Sequence, residues 1–276
     1  MDTTIIATYC VCDELLQAVH HHNDAQCKMT DAEVMTTAFV AAFYFRGNLE
    51  SARMMLKTYG YIPQMLSKSR LNRRLHQIQD LIILLFHTLG ELWKTLNLSS
   101  LYAIDSFPLA ACDNIRIPRA KLYQQEQFRG YTPSKKRYFY GLKIHLMITQ
   151  DGRPVEFFLT PGSFGDVDAL KVFVFDLPPS SIVYADKAYN DYDIEDVLQE
   201  ASHVHLLPMR KTNSKRALPP WVVFVQHYYR KRVETVGSLL ERLLPKSIHA
   251  VTSQGFALKV ALFIVAYSLC FCLPEI

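Results

Sequence analysis

Two aspartates stand directly after short apolar segments that have the composition of buried strands. Asp105 follows the letters LYAI, and Asp186 follows SIVYA. Alone, each is an ordinary turn or helix-capping residue. On neighbouring strands the two carboxylates would repel each other, and a divalent cation removes that repulsion. Because magnesium prefers carboxylate oxygens and keeps positions open for phosphate oxygens, the pair predicts a divalent-metal site that phosphate oxygens could reach.

Glu234 is the candidate for a third carboxylate ligand. It follows a stretch, residues 206–233, that contains seven basic residues and no acid, so a metal bound there would lie beside phosphate-binding cations. An exposed ion pair with Arg230, one helical turn earlier, is the alternative. Glu241 lies two turns later on nearly the same helix face, and spacing alone does not choose between the two glutamates.

Basic residues are concentrated in three runs, although the formal net charge is only +4. Residues 51–79 carry six Lys or Arg and no acid, residues 114–150 carry eight and one acid, and residues 206–233 carry seven and none. Two of these runs are interleaved with Tyr and Phe. A solvated surface explains any single run, but three together favour a polyanionic partner such as nucleic acid.

Residues 1–98 have the pattern of a helical region. Thr30 and Glu33 form a capping-box signature before an apolar run at residues 34–44, and a second helix is expected at residues 49–58. These short helices end at Gly or Asn, which are typical helix terminators.

A third helix is predicted at residues 67–93, with Ser69 as its cap. Its apolar positions form one stripe, and the basic residues near its start lie on the opposite side: Arg70, Arg73 and Arg74. A basic helix start that follows a short helix and a turn resembles a DNA-reading helix. An ordinary amphipathic helix with a solvated basic face is the alternative.

Residues 99–276 predict an α/β domain with the element order β β β α β α β α and helices on both sides of a mixed sheet. The segment 137–149 alternates apolar and polar residues, which predicts a strand with Lys143 and His145 on its polar face. An Asp-Gly pair at 151–152 predicts a hairpin turn into the next strand.

Two further observations bear on the compartment. Six cysteines are scattered without CxxC spacing, which fits reduced thiols in a cytoplasm. The uncharged segment 260–273 is shorter than a membrane span and is expected to form a buried core helix. A membrane is therefore not expected as a partner.

Five motifs occur in order along the chain: YAIDSFPL, YFYGLKIHL, TPGSFGDVDAL, YADKAYND and RKRVETVGSLLERLLP. Together with MTDAEVMTTAFVAAFYFRGN and YIPQMLSKSRLNRRLHQI, they resemble the DDE transposases of bacterial insertion sequences, with a close match to the insertion-sequence family nine-eight-two. The resemblance covers nearly the whole chain. It implies an RNase H-like core whose metal-binding triad is Asp105 on the first strand, Asp186 on the fourth and Glu234 on a later helix.

The resemblance also implies residues that contact DNA. Tyr189 lies in the element DKAY, and Arg230 matches an Arg that related transposases place one turn before the triad Glu. Two positions on that helix depart from the family's pattern, with His227 in place of Tyr and Glu241 in place of Lys. With the polar face of the strand at 137–149, the candidates for phosphate contacts are Lys143, His145, Tyr189 and Arg230.

The function implied by the resemblance is transposition. Residues 1–98 would bind the ends of an insertion sequence, and residues 99–276 would cleave DNA strands and join them to a target. Magnesium is the implied cofactor, as two ions that orient the attacking oxygen and stabilise the departing one, with manganese able to substitute. The implied partners are double-stranded DNA, at the terminal repeats and at the target, and further copies of the chain in a homodimer or larger synaptic complex. The compartment would be the bacterial cytoplasm, at the nucleoid.

Two alternatives remain open. A metal-dependent nuclease of the same fold would hydrolyse DNA without joining strands, and a decayed copy would bind DNA without catalysis. The presence of all three carboxylates argues against the decayed copy, and a strand-transfer assay separates the nuclease from the transposase.

Overall fold

The protein divides into two compact units. The structure is a computed structural model that describes residues 1–112, 114–132, 136–211, 214–245 and 248–273. The first unit comprises Met1–Leu89 and Leu240–Ile276, and the second is Gly90–Leu239. The functional division expected near residue 98 stays a prediction. The first unit also includes the last part of the chain, which the sequence pattern assigns to the catalytic region.

The first unit is built from helices. They are α1 (Asp2–Ala18), α2 (Asp31–Phe45), α3 (Leu49–Thr58), α4 (Lys68–Gln77), the first part of α5 (Gln79–Leu96), the end of α8 (Pro220–Leu243) and α9 (Ser253–Leu269). Helix α2 lies at the centre and packs against α1, α3, α4 and α9. Its predicted capping box is confirmed, because Thr30 Oγ1 accepts from the Glu33 N–H at 3.2 Å and the Glu33 carboxylate accepts from the Thr30 N–H at 2.7 Å.

The single helix predicted at residues 67–93 is wrong, because the structure has two helices that meet at Ile78. The backbone of Ile78 leaves helical geometry (φ −98°, ψ 17°) while its side chain is buried. No Gly or Pro marks this position, so the interruption carries no breaker residue. Ser67 rather than Ser69 precedes α4, and within the described residues its side chain makes no capping hydrogen bond.

Helix α9 is a core helix. Most of its residues are buried, which confirms the expected core helix over residues 260–269; the helix ends at Leu269 rather than at residue 273. In the described part of the chain, no helix is long and apolar enough to span a membrane.

The second unit contains a six-stranded mixed sheet. Its strands are β1 (Leu101–Ala110), β2 (Arg129–Thr132), β3 (Arg137–Thr149), β4 (Pro154–Pro161), β5 (Ile182–Ala185) and β6 (His205–Pro208). The order is β2-β3-β1-β5-β6, with β4 also paired to β3. Strands β1, β3 and β4 are antiparallel, whereas β5 is parallel to β1 and β6 is parallel to β5. The four-residue β2, which pairs with the start of β3, was not predicted.

Helices flank this sheet. Helices α6 (Asp166–Val172) and α7 (Tyr192–Ser202) connect strands, and α7 packs beside β6. Helix α8 packs on β5 and β6, where Tyr229 stacks on Tyr184 and the Gln226 amide donates to the carbonyl of Leu207. A mixed sheet in this order, flanked by helices, confirms the predicted α/β class and is RNase H-like.

The second half of β3 is buried on both faces. Ile144 and Leu146 are buried as predicted, but His145 and Met147 on the other face are buried as well. Strand β3 pairs with β1 on one edge and β4 on the other, and a central strand of a covered sheet has no solvated face. The expectation of a polar, exposed face at His145 is therefore wrong.

Candidate active site

The pairing of β1 with β5 brings the two predicted aspartates together. The parallel register ends with Ile104 opposite Ala185, so the next residues are Asp105 and Asp186 on strands about 4.8 Å apart. Asp186 directly follows β5, as predicted. Asp105 lies within its strand rather than at its end, because β1 continues along β3 and pairs Asp105 with Leu146.

Both carboxylates line a small cavity of about 10 Å³, walled also by α8 residues that include Gln226 and Arg230. A space of that size holds about one water molecule or ion. Within the described residues, Oδ1 of Asp186 is buried without a hydrogen-bond partner. A buried carboxylate oxygen without a donor is costly unless a cation lies close, and the guanidinium of Arg230 lies 3.2 Å from this oxygen. Two adjacent carboxylates beside a space of ion size are nevertheless a donor set that fits a divalent metal ion.

Arg230 links Glu234 to the aspartate pair. Its Nη1 lies 3.2 Å from Oδ1 of Asp186, and its Nε donates a 2.8 Å hydrogen bond to Oε1 of Glu234. The contact with Asp186 is an ion pair without hydrogen-bond alignment. Burial opposes the charge of Arg230, but the two carboxylates hold its pKa above the usual value. Glu234 thus forms the ion pair with Arg230 that was the alternative to a role as metal ligand. The same Arg230 also contacts Asp186, so it connects the two carboxylates.

The three carboxylates share one region without forming a closed metal cage. Among the residues that the structure describes, no three His, Cys, Asp or Glu side chains are arranged as a metal-binding group. The side chain of Glu234 is 48% exposed and is held by Arg230. The triad therefore stays a prediction, in which Asp105 and Asp186 are the pair that the fold places side by side.

Burial raises the pKa of Asp105 to about 7. The backbone N–H of Ser106 donates to Oδ1 at 2.8 Å and opposes this shift, while the carboxylates of Asp186, Asp166 and Glu234 add to it. Three carboxylates therefore act electrostatically on Asp105, and a bound cation would favour the ionised form of Asp105.

Asp166 is a residue of this site that the sequence interpretation missed. It begins α6, and its Oδ1 accepts a 2.8 Å hydrogen bond from the hydroxyl of Ser106, the neighbour of Asp105. Nζ of Lys143 lies 3.4 Å from the same oxygen and donates to the carbonyl of Phe164 at 2.8 Å. Lys143 is thus anchored beside the carboxylates. The available signal was the motif SFGDVDAL, which the resemblance included without giving its acids a role.

His145 and Tyr189, two of the predicted phosphate contacts, lie in the interior of the second unit. Both side chains are fully buried, so neither reaches the surface in this structure, and their contact with phosphates stays a prediction. Nδ1 of His145 lies 3.0 Å from the Tyr189 hydroxyl, and its Nε2 lies 3.0 Å from the hydroxyl of Thr160. Tyr189 closes the short turn that follows Asp186. The buried chain Thr160–His145–Tyr189 therefore positions the segment that carries Asp186.

Burial lowers the pKa of His145 from 6.5 to about 4, which gives this residue a measurable effect on stability. Between these values the unfolded chain binds a proton that the folded chain does not, so stability falls as the pH drops from 6.5 towards 4. We expect His145→Gln to destabilise the protein by about 1–3 kcal/mol at pH 7.5. The difference in free energy of unfolding between wild type and variant should be smaller at pH 5, by on the order of 2 kcal/mol. Urea unfolding at both pH values measures it.

The comparison with wild type is needed because the raised pKa values of Asp105 and Glu156 act in the opposite direction over the same pH range. Tyr189→Phe is the matched control, since it removes a hydrogen bond of the same chain but keeps the buried imidazole. Its destabilisation should be similar at pH 7.5 and pH 5. If the loss of unfolding free energy caused by His145→Gln is the same at both pH values, the imidazole does not stay neutral on folding.

The predicted DNA-binding arginines of the first unit lie around a cleft of about 320 Å³. The other residues of its lining come mainly from the segment before α2 and include Lys28; the described lining contains no acid. Arg70 and Arg73 are exposed. Arg74 differs from them, because its Nε donates to the buried carboxylate of Asp31 at 2.7 Å. The cleft is therefore positively charged, with two solvent-facing arginines and one that is anchored.

Comparison with known proteins identifies one family. The family model described as a transposase DDE domain matches residues 96–247, which is more than half of the chain and contains all three predicted carboxylates. Comparisons with curated proteins and with solved structures found no match.

Proposed function

We propose that this chain, which belongs to the transposase DDE domain family, mobilises an insertion sequence of the family nine-eight-two type by magnesium-dependent cleavage and transfer of DNA strands. The observation that carries the proposal is the adjacency of Asp105 and Asp186 at the end of the β1–β5 pairing, where both residues line a cavity of ion size. Phosphodiester chemistry at a carboxylate-bound metal is the activity that such a pair supports.

The proposed division of labour follows from the residues of the site. Asp105, Asp186 and Glu234 would hold magnesium, which supplies Lewis-acid stabilisation of the attacking and departing oxygens. Arg230 holds Asp186 and Glu234 in place and carries a positive charge towards the phosphate. Lys143 forms an ion pair with Asp166 and so helps to hold that carboxylate near Asp105. Phosphoryl transfer by direct attack of water or a 3′-hydroxyl needs no covalent enzyme intermediate, so no Ser or Tyr nucleophile is assigned.

The remaining features of the proposal concern partners. Residues 1–98 would bind the terminal repeats through the basic cleft, and residues 99–276 would act on element and target DNA. Holding two element ends together calls for two end-binding regions, so a homodimer or larger complex is proposed for synapsis. The reaction would take place on DNA in the bacterial cytoplasm.

The test is a reaction with a labelled element end. Purified protein, magnesium, a duplex that carries the terminal repeat and a supercoiled target are incubated together. We expect strand cleavage at the end of the element, followed by covalent joining of the labelled strand to the target. Cleavage without joining would identify a nuclease of the same fold, and binding without cleavage in magnesium or manganese would identify a decayed copy.

The basic cleft leads to a prediction about DNA binding. We expect the double variant Arg70→Ala/Arg73→Ala to weaken binding to the element end and to lower the slope of log K against log salt by about 0.9 for each phosphate that is no longer neutralised. Arg74 is left intact because its removal would take an ionic partner from the buried carboxylate of Asp31 and destabilise the fold. Binding isotherms at several salt concentrations give the slope.

The control is Lys57→Ala/Arg242→Ala, which removes the same charge from two exposed positions of the first unit outside the cleft lining. It should leave the salt slope near that of the wild type. Equal slopes for both double variants and the wild type would show that the cleft is a solvated surface.

A further inference from the structure

Helix α8 carries three exposed aromatic side chains in one line. Trp221, Phe224 and Tyr228 are 68%, 75% and 57% exposed. Their spacing of three and four residues places them on one face of the helix. Large apolar side chains grouped on a surface mark a binding site more often than isolated ones do. We call these three residues the aromatic stripe.

The opposite face of α8 fixes the direction of the aromatic stripe. Val222, Gln226 and Tyr229 are buried, and the Gln226 amide donates to the carbonyls of Leu207 and Pro208 in β6. Tyr229 stacks on Tyr184 at 5.0 Å. Because this face is held against the sheet, the aromatic stripe points to solvent as a consequence of how α8 packs.

The aromatic stripe lies on the part of α8 that precedes Glu234, on a face about 120° around the helix from that residue. Tyr228 precedes Glu234 by six residues and Trp221 precedes it by thirteen, so the stripe begins about 9 Å from Glu234 along the helix axis and ends about 20 Å away. The next exposed position on this face is Lys231, and Arg232 follows it. Residues 206–233 contain no acid. Exposed aromatic rings beside cations are the features that proteins use to bind a nucleic-acid strand whose bases are unpaired.

We propose that the aromatic stripe stacks on unpaired bases of the DNA strand that leads to Asp105, Asp186 and Glu234. Trp221 and Phe224 lie about 4.5 Å apart along the axis and Phe224 and Tyr228 about 6 Å, spacings that suit one base for each ring in an extended strand. Stacking tolerates any base, since every base has a π face. The stripe therefore binds without reading sequence, and it holds an opened end rather than a closed duplex. This inference rests on the proposed function, because it names the form of DNA that the same site takes.

The test uses the fluorescence of Trp221. The chain has two tryptophans, and the other, Trp93, is buried. We expect short oligothymidylate, added in EDTA, to quench the tryptophan emission on binding. Trp221→Phe should abolish the quenching while keeping most of the affinity, because a phenyl ring also stacks. Phe224→Ala/Tyr228→Ala should weaken binding to oligothymidylate roughly tenfold or more, with a much smaller effect on blunt duplex.

The control is Val197→Ala on α7, an exposed apolar side chain of the same unit, which should leave both affinities unchanged. Binding without quenching, or unchanged affinity of the double variant, would overturn the proposal. So would a change of oligomeric state in sedimentation with the single-strand affinity retained, which would assign the stripe to contact between copies of the chain. Because EDTA prevents cleavage, these results are separate from those of the metal-dependent reaction: stacking without cleavage in magnesium would sink the proposed catalysis alone.

Discussion

Replacement of Asp105 or Asp186 by Asn is expected to reduce DNA cleavage in magnesium by roughly a thousand-fold or more, with binding to the element end retained. The amide keeps the shape of the side chain but loses the charge that would hold the cation, which contributes several kcal/mol to the transition state. Asp105→Asn should leave stability equal or higher, since it removes a carboxylate whose pKa is already raised by burial and by like charges. Asp186→Asn should lower stability slightly, because it also removes the ion pair with Arg230. Cleavage of a labelled end and thermal unfolding measure the two effects.

A second readout isolates the metal from the chemistry. A ligand that binds only the folded protein raises its thermal midpoint, so manganese should stabilise the wild type but not Asp186→Asn. Asp168→Asn is the matched control, because this exposed carboxylate of α6 makes a loose ionic contact of 3.5 Å with Lys171. It should keep both cleavage and the shift with manganese. Full cleavage by Asp105→Asn or Asp186→Asn would remove the aspartate pair from the mechanism.

The sequence predicts those parts of the site that depend on local pattern alone, and it does not predict those that depend on which strands pair. Asp186 ends a four-residue strand of apolar residues, and a carboxylate after such a strand is visible in the letters alone. The adjacency of Asp105 depended on which strands pair, which the sequence does not state. The resemblance provided it, and the register of β1 with β5 confirms that the two positions are neighbours.

The errors come from tertiary burial, which a local pattern does not contain. An alternating strand has a polar face only if solvent reaches it, and at His145 the hydroxyls of Tyr189 and Thr160 and the ring of Phe158 replace the solvent. Asp166 was missed for the same reason. It lies some 60 residues from Ser106 in sequence, and only the folded chain brings its carboxylate to the site.

The arginines of α4 show the limit of assigning a role by helix face. All three were predicted to contact DNA, and all three line the basic cleft. Arg74, however, also forms an ion pair with the buried carboxylate of Asp31. Without it, Asp31 would have only His21 as an ionic partner among the described residues. A buried carboxylate that loses a cation is strongly destabilised, so mutation of Arg74 tests folding as much as binding.

Glu234→Gln is expected to eliminate strand cleavage, whereas Glu241→Gln should reduce it tenfold at most. Glu234 contributes to the raised pKa of Asp105 and is joined to Asp186 through Arg230. Glu241 lies two turns further along α8, is exposed, and stands near the end of the helix. Exposed carboxylates in that setting contribute little beyond surface ion pairing. Glu234 is therefore the member of the pair that a metal at Asp105 and Asp186 can use.

The two variants form their own control, because each replaces one exposed glutamate of the same helix by its neutral isostere. Both should unfold within about 0.5 kcal/mol of the wild type, so a difference in cleavage reports on the reaction rather than on folding. Glu234→Gln also removes the ion pair of Arg230 with Glu234, and DNA binding should be unchanged or slightly stronger as the positive charge of Arg230 becomes available. The reverse ranking, with both proteins folded, would move the metal ligand to Glu241 and place the triad helix two turns out of register with the family.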